Sequence, residues 1–547
     1  MQSTDITPPG FPERFKHLRR PRSARPETTT AKAEDLPPPL AISAGLEPYT
    51  EPLDQRKAAH LLRRASFGVV PQALNALLGM PGDEAAAMLV DEAVALPMPE
   101  PPEWANAFPP PWNGSQEVLQ AYFDQQFPWF QEHAVQWLER MYQVGLREKM
   151  TLFWHDHFAT EWEVYFFSPM AYRYLALLRE QALGNFRDLV YRMGLDPAML
   201  VYLDGESNTG FEPNENYGRE LLELFTMGQY DGQGNPNYTQ SDIVELSRAL
   251  TGWYVQYEDF TAHFDHYRYD DNEKEIFGQR TNFNYISVID LIFEQRARQI
   301  AEFIARKIYT EFVFVTPDEA VVAEMADLFL ANDFEIAPVV NALLQSAHFF
   351  DDQAMGAKIK GPVALLVGML KEIDVHNFLD DTFHRIHYSA HELEQGVLEP
   401  PNVAGWPGYR RWISTSTLAL RWEVMDYYLG HGLVEHVVSI VPLAQQLLDP
   451  DDPLAAFKLP VLLAEHFIAV PAESLGYDAP MEDFGGDLIG NPIPADIANG
   501  PAHVRDLAKI FLGGSPWYEW DINRVGSWWT LYNYLSFLTR LPEYQLT

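Results

Sequence analysis

In the segment FWHDHF two histidines flank an aspartate, so His155 and His157 place metal-ligating or acid–base groups two positions apart, with Asp156 between them. Residues two apart on a helix point about 200° apart, so both imidazoles reach one ion only if the helix ends there and the chain extends. Otherwise one ring is a ligand or acid–base group and the other is structural. A capping or core-satisfying pair beside Trp154 and Phe158 is the competing reading. Further on, in NENYGRELLELFTMG, Asn216, Glu220 and Glu223 stand at i, i+4 and i+7, within about 60° of one another on a helix. Two carboxylates and an amide on one face suit a divalent cation; a solvated stripe with Arg219 as ion partner is the ordinary alternative. Asn214, after Pro213, is the expected cap of that helix.

Between and beyond these runs lie YLDGESNTG, whose Asp204, Glu206 and Asn208 are oxygen ligands or turn-makers, and YTQSDIVELSRALTGW, in which Arg248 and Trp253 stand out from a helix of architectural type. The chemistry expected is metal-assisted: His155 or His157 with Glu220 and Glu223 holding a divalent ion that activates water or a substrate oxygen. Asp204, Asn216 and Arg248 would orient those ligands, with Arg248 also a catalytic candidate and Asn208 and Asn214 beside them. In PPNVAGWPGYRRW, Asn402, Trp406 and Arg411 are expected to line a pocket. His384, His387 and His391 share a helical face, but HELEQ misses the HExxH zinc pattern at Gln395. The loop TAHFDHYRYDDNEKE lacks the glycine and spacing of a calcium loop. No GxxxxGK, GxSxG or GxGxxG run occurs, which disfavours the common nucleotide-binding and hydrolase classes.

Positioning these residues calls for helices. Apolar spacing of three and four recurs from Asp54 to the last residues, while strand-like alternation is scarce, so the expected fold is mainly α: a large multi-helix globular array with long irregular loops. Residues 1–50 read as a disordered, Pro-rich basic arm, 51–434 as the main helical domain carrying the candidate site, and 435–547 as a C-terminal helical region packed on it. Asp and Glu total 77 against 39 Lys and Arg, a formal charge of −38 that repels phosphate backbones and argues against nucleic acid. Without cysteine there is no thiolate nucleophile and no Cys-based metal site. No window offers the roughly 18 apolar residues of a spanning helix, and no apolar stretch follows Arg19-Arg20. A chain without a cleavable leader is cytoplasmic by default.

HLLRRASFG (60–68), REKMTLFWHDHFAT (147–160), NFRDLVYRMGLDPAMLVYLDGESN (185–208), PNENYGRELLELFTMG (213–228), YTQSDIVELSRALTGW (238–253), ARKIY (305–309), PPNVAGWPG (400–408) and PEYQ (542–545) together resemble the bacterial "domain of unknown function 1800" family. The resemblance implies a helical protein without an assigned reaction. It also implies association with a second protein resembling the alkaline phosphatase superfamily, and with it partner-assisted export; a non-catalytic interaction or export partner of such a protein is the alternative to the metal-dependent enzyme. Relatives carry an HDxGxK-like run where this chain reads YDDNEK, so Tyr269 replaces the His and Asn272 the Gly. If that His acts in relatives, the change alters the activity here.

Overall fold

The computed structural model describes residues 36–375, 380–430, 437–477 and 492–547. Residues 1–35 of the expected arm, the 434/435 boundary and residues 478–491 lie outside them. The fold is mainly α, and one hydrophobic cluster runs from Ile42 to Tyr544, drawing on both the 51–434 and the 435–547 regions. Among the described residues no helix is long and apolar enough to cross a membrane.

The polar segment 257–285, which contains TAHFDHYRYDDNEKE, is more ordered than its composition suggests. Trp253–Gln256 pairs antiparallel with Thr261–Phe264, and Lys274–Ile276 with Gln279–Thr281. Short strands joined by tight turns carry little alternation to read. Lys274, buried, explains the second hairpin: its ammonium donates to the main-chain oxygens of Asp270 and Phe283, to Asn282 Oδ1 at 2.9 Å and to the Tyr269 hydroxyl at 3.1 Å. The tyrosine in the histidine's place therefore closes a cage around this lysine.

Three helices fix the central element. In Leu146–His157 nine of twelve residues are buried, so its polar side chains must find partners inside the protein. Glu148, fully enclosed, accepts from Arg179 Nε at 2.7 Å, Arg140 Nε at 2.8 Å and Trp137 Nε1 at 3.0 Å. It thereby ties Leu146–His157 to Gln126–Gln143 and Ser168–Glu180. Gln55–Ser66 begins where the Asp54 carboxylate accepts the Lys57 N–H and stops at Phe67, in the left-handed region at φ 73°. At the next residue, Gly68, an added Cβ would lie 2.8 Å from the Gly368 backbone. That close pass seats the helix Pro362–Ile373 against the end of Gln55–Ser66.

Candidate functional site

Leu146–His157 remains helical through both histidines, so the two rings diverge. The Tyr174 hydroxyl donates to Phe158 O at 2.8 Å and so accepts from His155 Nδ1 at 2.9 Å. This assigns the proton to Nδ1, while Nε2 is buried without a hydrogen-bond partner among the described residues. His157 Nε2 donates to Phe225 O at 3.0 Å, which leaves Nδ1 to accept from Lys307 Nζ at 2.8 Å. Burial holds His155 neutral, with its pKa down to about 3, and burial together with Lys307 keeps His157 well below the usual imidazole range. Both nitrogens of His157 are thus engaged.

The carboxylates take other places. Asn216–Glu220 is α-helical, but Leu221–Thr226 widens into a π-helical turn, where i→i+5 bonding adds a residue per turn. The wider turn changes the α-helical spacing on which the shared face of Asn216, Glu220 and Glu223 was expected; Glu220 is buried and Glu223 half-buried. The same wide turn leaves the Phe225 carbonyl for His157. Among the described residues no group of three His, Asp or Glu side chains is arranged to hold a metal ion. His155, His157, Glu220 and Glu223 therefore form no ligand set, and neither do His384, His387 and His391.

Asp204, Asn208, Asn214 and Asn216 do converge, as a scaffold. Asn216 Nδ2 donates to Asp204 Oδ2 at 2.6 Å, and Asn214 Oδ1 accepts the Asn216 N–H at 2.9 Å. Asn208 Oδ1 accepts the Asn214 N–H at 2.9 Å while its Nδ2 donates to Ser247 O at 2.9 Å. Asn214 thus pins the helix entrance two residues before Asn216 rather than as the immediate cap, which is Glu215. Arg248 is spent in ion pairs with Asp270 and Glu245, each at 2.7 Å, on a separate open depression. Asn402 shapes a turn by accepting the Ala404 N–H at 2.9 Å, and Arg411 is exposed. Of the 400–411 candidates only Trp406 lines a cavity.

That cavity lies on the third side of Leu146–His157, where Asp156 points. It encloses about 300 Å³. Asp156 Oδ1 accepts the Trp406 N–H at 2.7 Å, and Gly405, at φ 78°, leaves no room for a Cβ, which would fall 2.3 Å from Asp156. The loop is thus moulded onto the carboxylate. Around it stand Arg63 and Arg64 from Gln55–Ser66, Lys149 from the central helix, and Lys358 and Lys360 from the segment entering Pro362–Ile373. Glu311 bridges Lys149 at 2.9 Å and Lys358 at 3.1 Å. Burial raises the Asp156 pKa to about 6, against the opposing pull of the Trp406 N–H and Lys307. Burial lowers that of Lys307 to about 8, with Asp156 partly offsetting it.

Sequence reasoning noted Asp156 between the two histidines but gave it no role, and it singled out none of the five cations. A signal was available: Arg63-Arg64 follow the apolar Leu61-Leu62 on a helix rich in Ala and Leu, in a chain whose acids outnumber its cations.

The model of a family described as "Protein of unknown function (DUF1800)" matches residues 60–522. This chain belongs to that family. No curated protein and no solved structure matches it. Several segments that carry the DUF1800 resemblance meet at the cavity: HLLRRASFG brings Arg63, Arg64 and Phe67, WHDHF brings Asp156, and AGWPG brings Trp406 to Gly408. ARKIY places Lys307 behind Asp156 and Tyr309 one residue before the cavity-lining Thr310.

Proposed function

We propose that this DUF1800 chain is an enzyme whose active site is the cavity around Asp156, and that Asp156 is its general acid–base group. The observation that carries this is positional: one half-buried carboxylate, held by a main-chain N–H, faces a partly open cavity walled by cations and aromatic rings. Concave cavities with a few convergent polar groups are the usual ligand sites, and a carboxyl titrating near neutrality can both give and take a proton. Lys307, bonded to the neutral His157, sits behind Asp156 as a buried proton-exchanging neighbour. Trp406 fixes one Asp156 oxygen through its N–H and encloses the site with its ring, centred 5.4 Å from that of His155. This chemistry draws on side chains alone and differs from the metal-assisted scheme the histidines suggest.

The test is a panel of small metabolites screened for thermal stabilisation and then for turnover. A compound that binds wild type should be turned over with kcat at least about 100-fold lower in Asp156→Asn, the scale of a lost general acid–base group, while still binding. Ala364→Trp, which fills the cavity from its wall, should abolish binding. If compounds bind and turn over equally well in both variants, the site is elsewhere.

A further inference from the structure

The charges around the cavity do not balance. Its wall carries five cationic side chains, Arg63, Arg64, Lys149, Lys358 and Lys360, against Asp156 and Glu311. A third acid, Glu372, lies behind the wall, 3.5 Å from Arg63 and 3.8 Å from Lys360. Five cations against these three acids, with Lys307 a further cation behind Asp156, leave positive charge in excess, inside a chain whose formal charge is −38. Arg64 is where that excess is most exposed energetically. It is 2% accessible, its Nη2 donates to Ala354 O at 2.8 Å, and its Nε and Nη1 are buried without a hydrogen-bond partner among the described residues. Buried guanidinium N–H groups left unmade are costly, so a small shift of Arg64 towards the cavity it lines would let its fork of donors meet an oxyanion.

Two further features point the same way. The helix Pro362–Ile373 starts at the cavity, with Gly361 and Ala364 on its wall, so the positive end of a twelve-residue dipole faces the same space. Glu311 shows what the two lysines accept: its carboxylate sits between Lys149 and Lys358. Phe67, Phe153, Trp406, Tyr409 and Trp412 make the remaining wall apolar and flat.

Resting on the reading of this cavity as the ligand site, we propose that Arg64, Lys149 and Lys358 form an oxyanion subsite for the phosphate-type dianion of the substrate. The aromatic wall then covers the body of the molecule. A wall with positive charge in excess matches a phosphate dianion better than a monocarboxylate, and about 300 Å³ limits the molecule to the size of a phosphorylated sugar or smaller.

Calorimetric titration of the full chain with inorganic phosphate, at constant ionic strength and pH 7.5, tests this, with acetate as the monoanionic control. Phosphate should bind at one site and acetate should not. Lys149→Gln, a half-buried position that tolerates the change better than Arg64, should weaken phosphate by at least about tenfold, as for loss of one charge-assisted bond. Ala364→Trp should abolish binding. No phosphate binding, acetate binding as tightly as phosphate, or unchanged affinity in Lys149→Gln overturns the subsite. If phosphate fails while an uncharged panel compound binds wild type and not Ala364→Trp, the subsite falls and the cavity stands as a ligand site. If Ala364→Trp blocks nothing that binds, both fall.

Discussion

Asp156 lies between two rings that turn away from it, and its environment has consequences that can be measured on stability alone. Its folded pKa, about 6, lies above the ordinary carboxylate value, so the native state holds the proton more tightly than the unfolded chain. Stability from this group is therefore present below about pH 4 and is lost as pH rises through about 6. Asp156→Asn should accordingly stabilise the protein at pH 8, by up to roughly 2 kcal/mol after allowing for solvent at the cavity, and leave it unchanged at pH 4. Urea unfolding at the two pH values checks this; equal effects at both would show that the carboxylate titrates normally. The histidines were legible in the sequence as polar groups in an apolar run, but their roles were not. Which way a ring points depends on whether its helix continues, and Leu146–His157 continues through both.

At the scale of elements, the helices were readable from apolar spacing, and the expected start near Asp54 is where the Asp54 cap is found. The π turn at Leu221–Thr226 was not: nothing in LLELFT departs from α-helical composition, and the wider turn changes the spacing from which a shared face was expected. Nor were the hairpins within 253–281, since three- and four-residue strands show no usable alternation. The element junction that matters most for the site is Glu148. Glu148→Gln should destabilise by about 3–5 kcal/mol, because Arg179 and Arg140 lose the charge that compensates them in a closed setting. Chemical denaturation measures it, and a loss under about 1 kcal/mol would mean the three helices are held by apolar packing alone.

Across the whole molecule, the cavity joins segments far apart in the chain, which is why no local motif announced it. Its floor includes the paired segments 358–360 and 545–547: Lys360 N–H donates to Gln545 O at 2.8 Å, Thr547 N–H to Lys358 O at 2.8 Å, and buried Tyr544 lies under the Lys360 ammonium, 4.0 Å from its ring centroid. Removing residues 542–547 should lower stability by at least about 3 kcal/mol, the scale of losing one large core aromatic, and abolish ligand binding. A truncated chain that melts and binds as wild type does would detach this segment from the site. The family resemblance was legible because its segments are distinctive in order; their meeting at one cavity was not, since it depends on tertiary packing across some 490 residues, from Arg63 to Thr547. The most direct test of the central claim is the pH dependence of kcat for any compound the protein turns over. The account predicts a limb with an apparent pKa of about 6 in wild type, with Asp156→Asn too slow to show it. A flat wild-type profile, or the same limb at undiminished rate in Asp156→Asn, would contradict it.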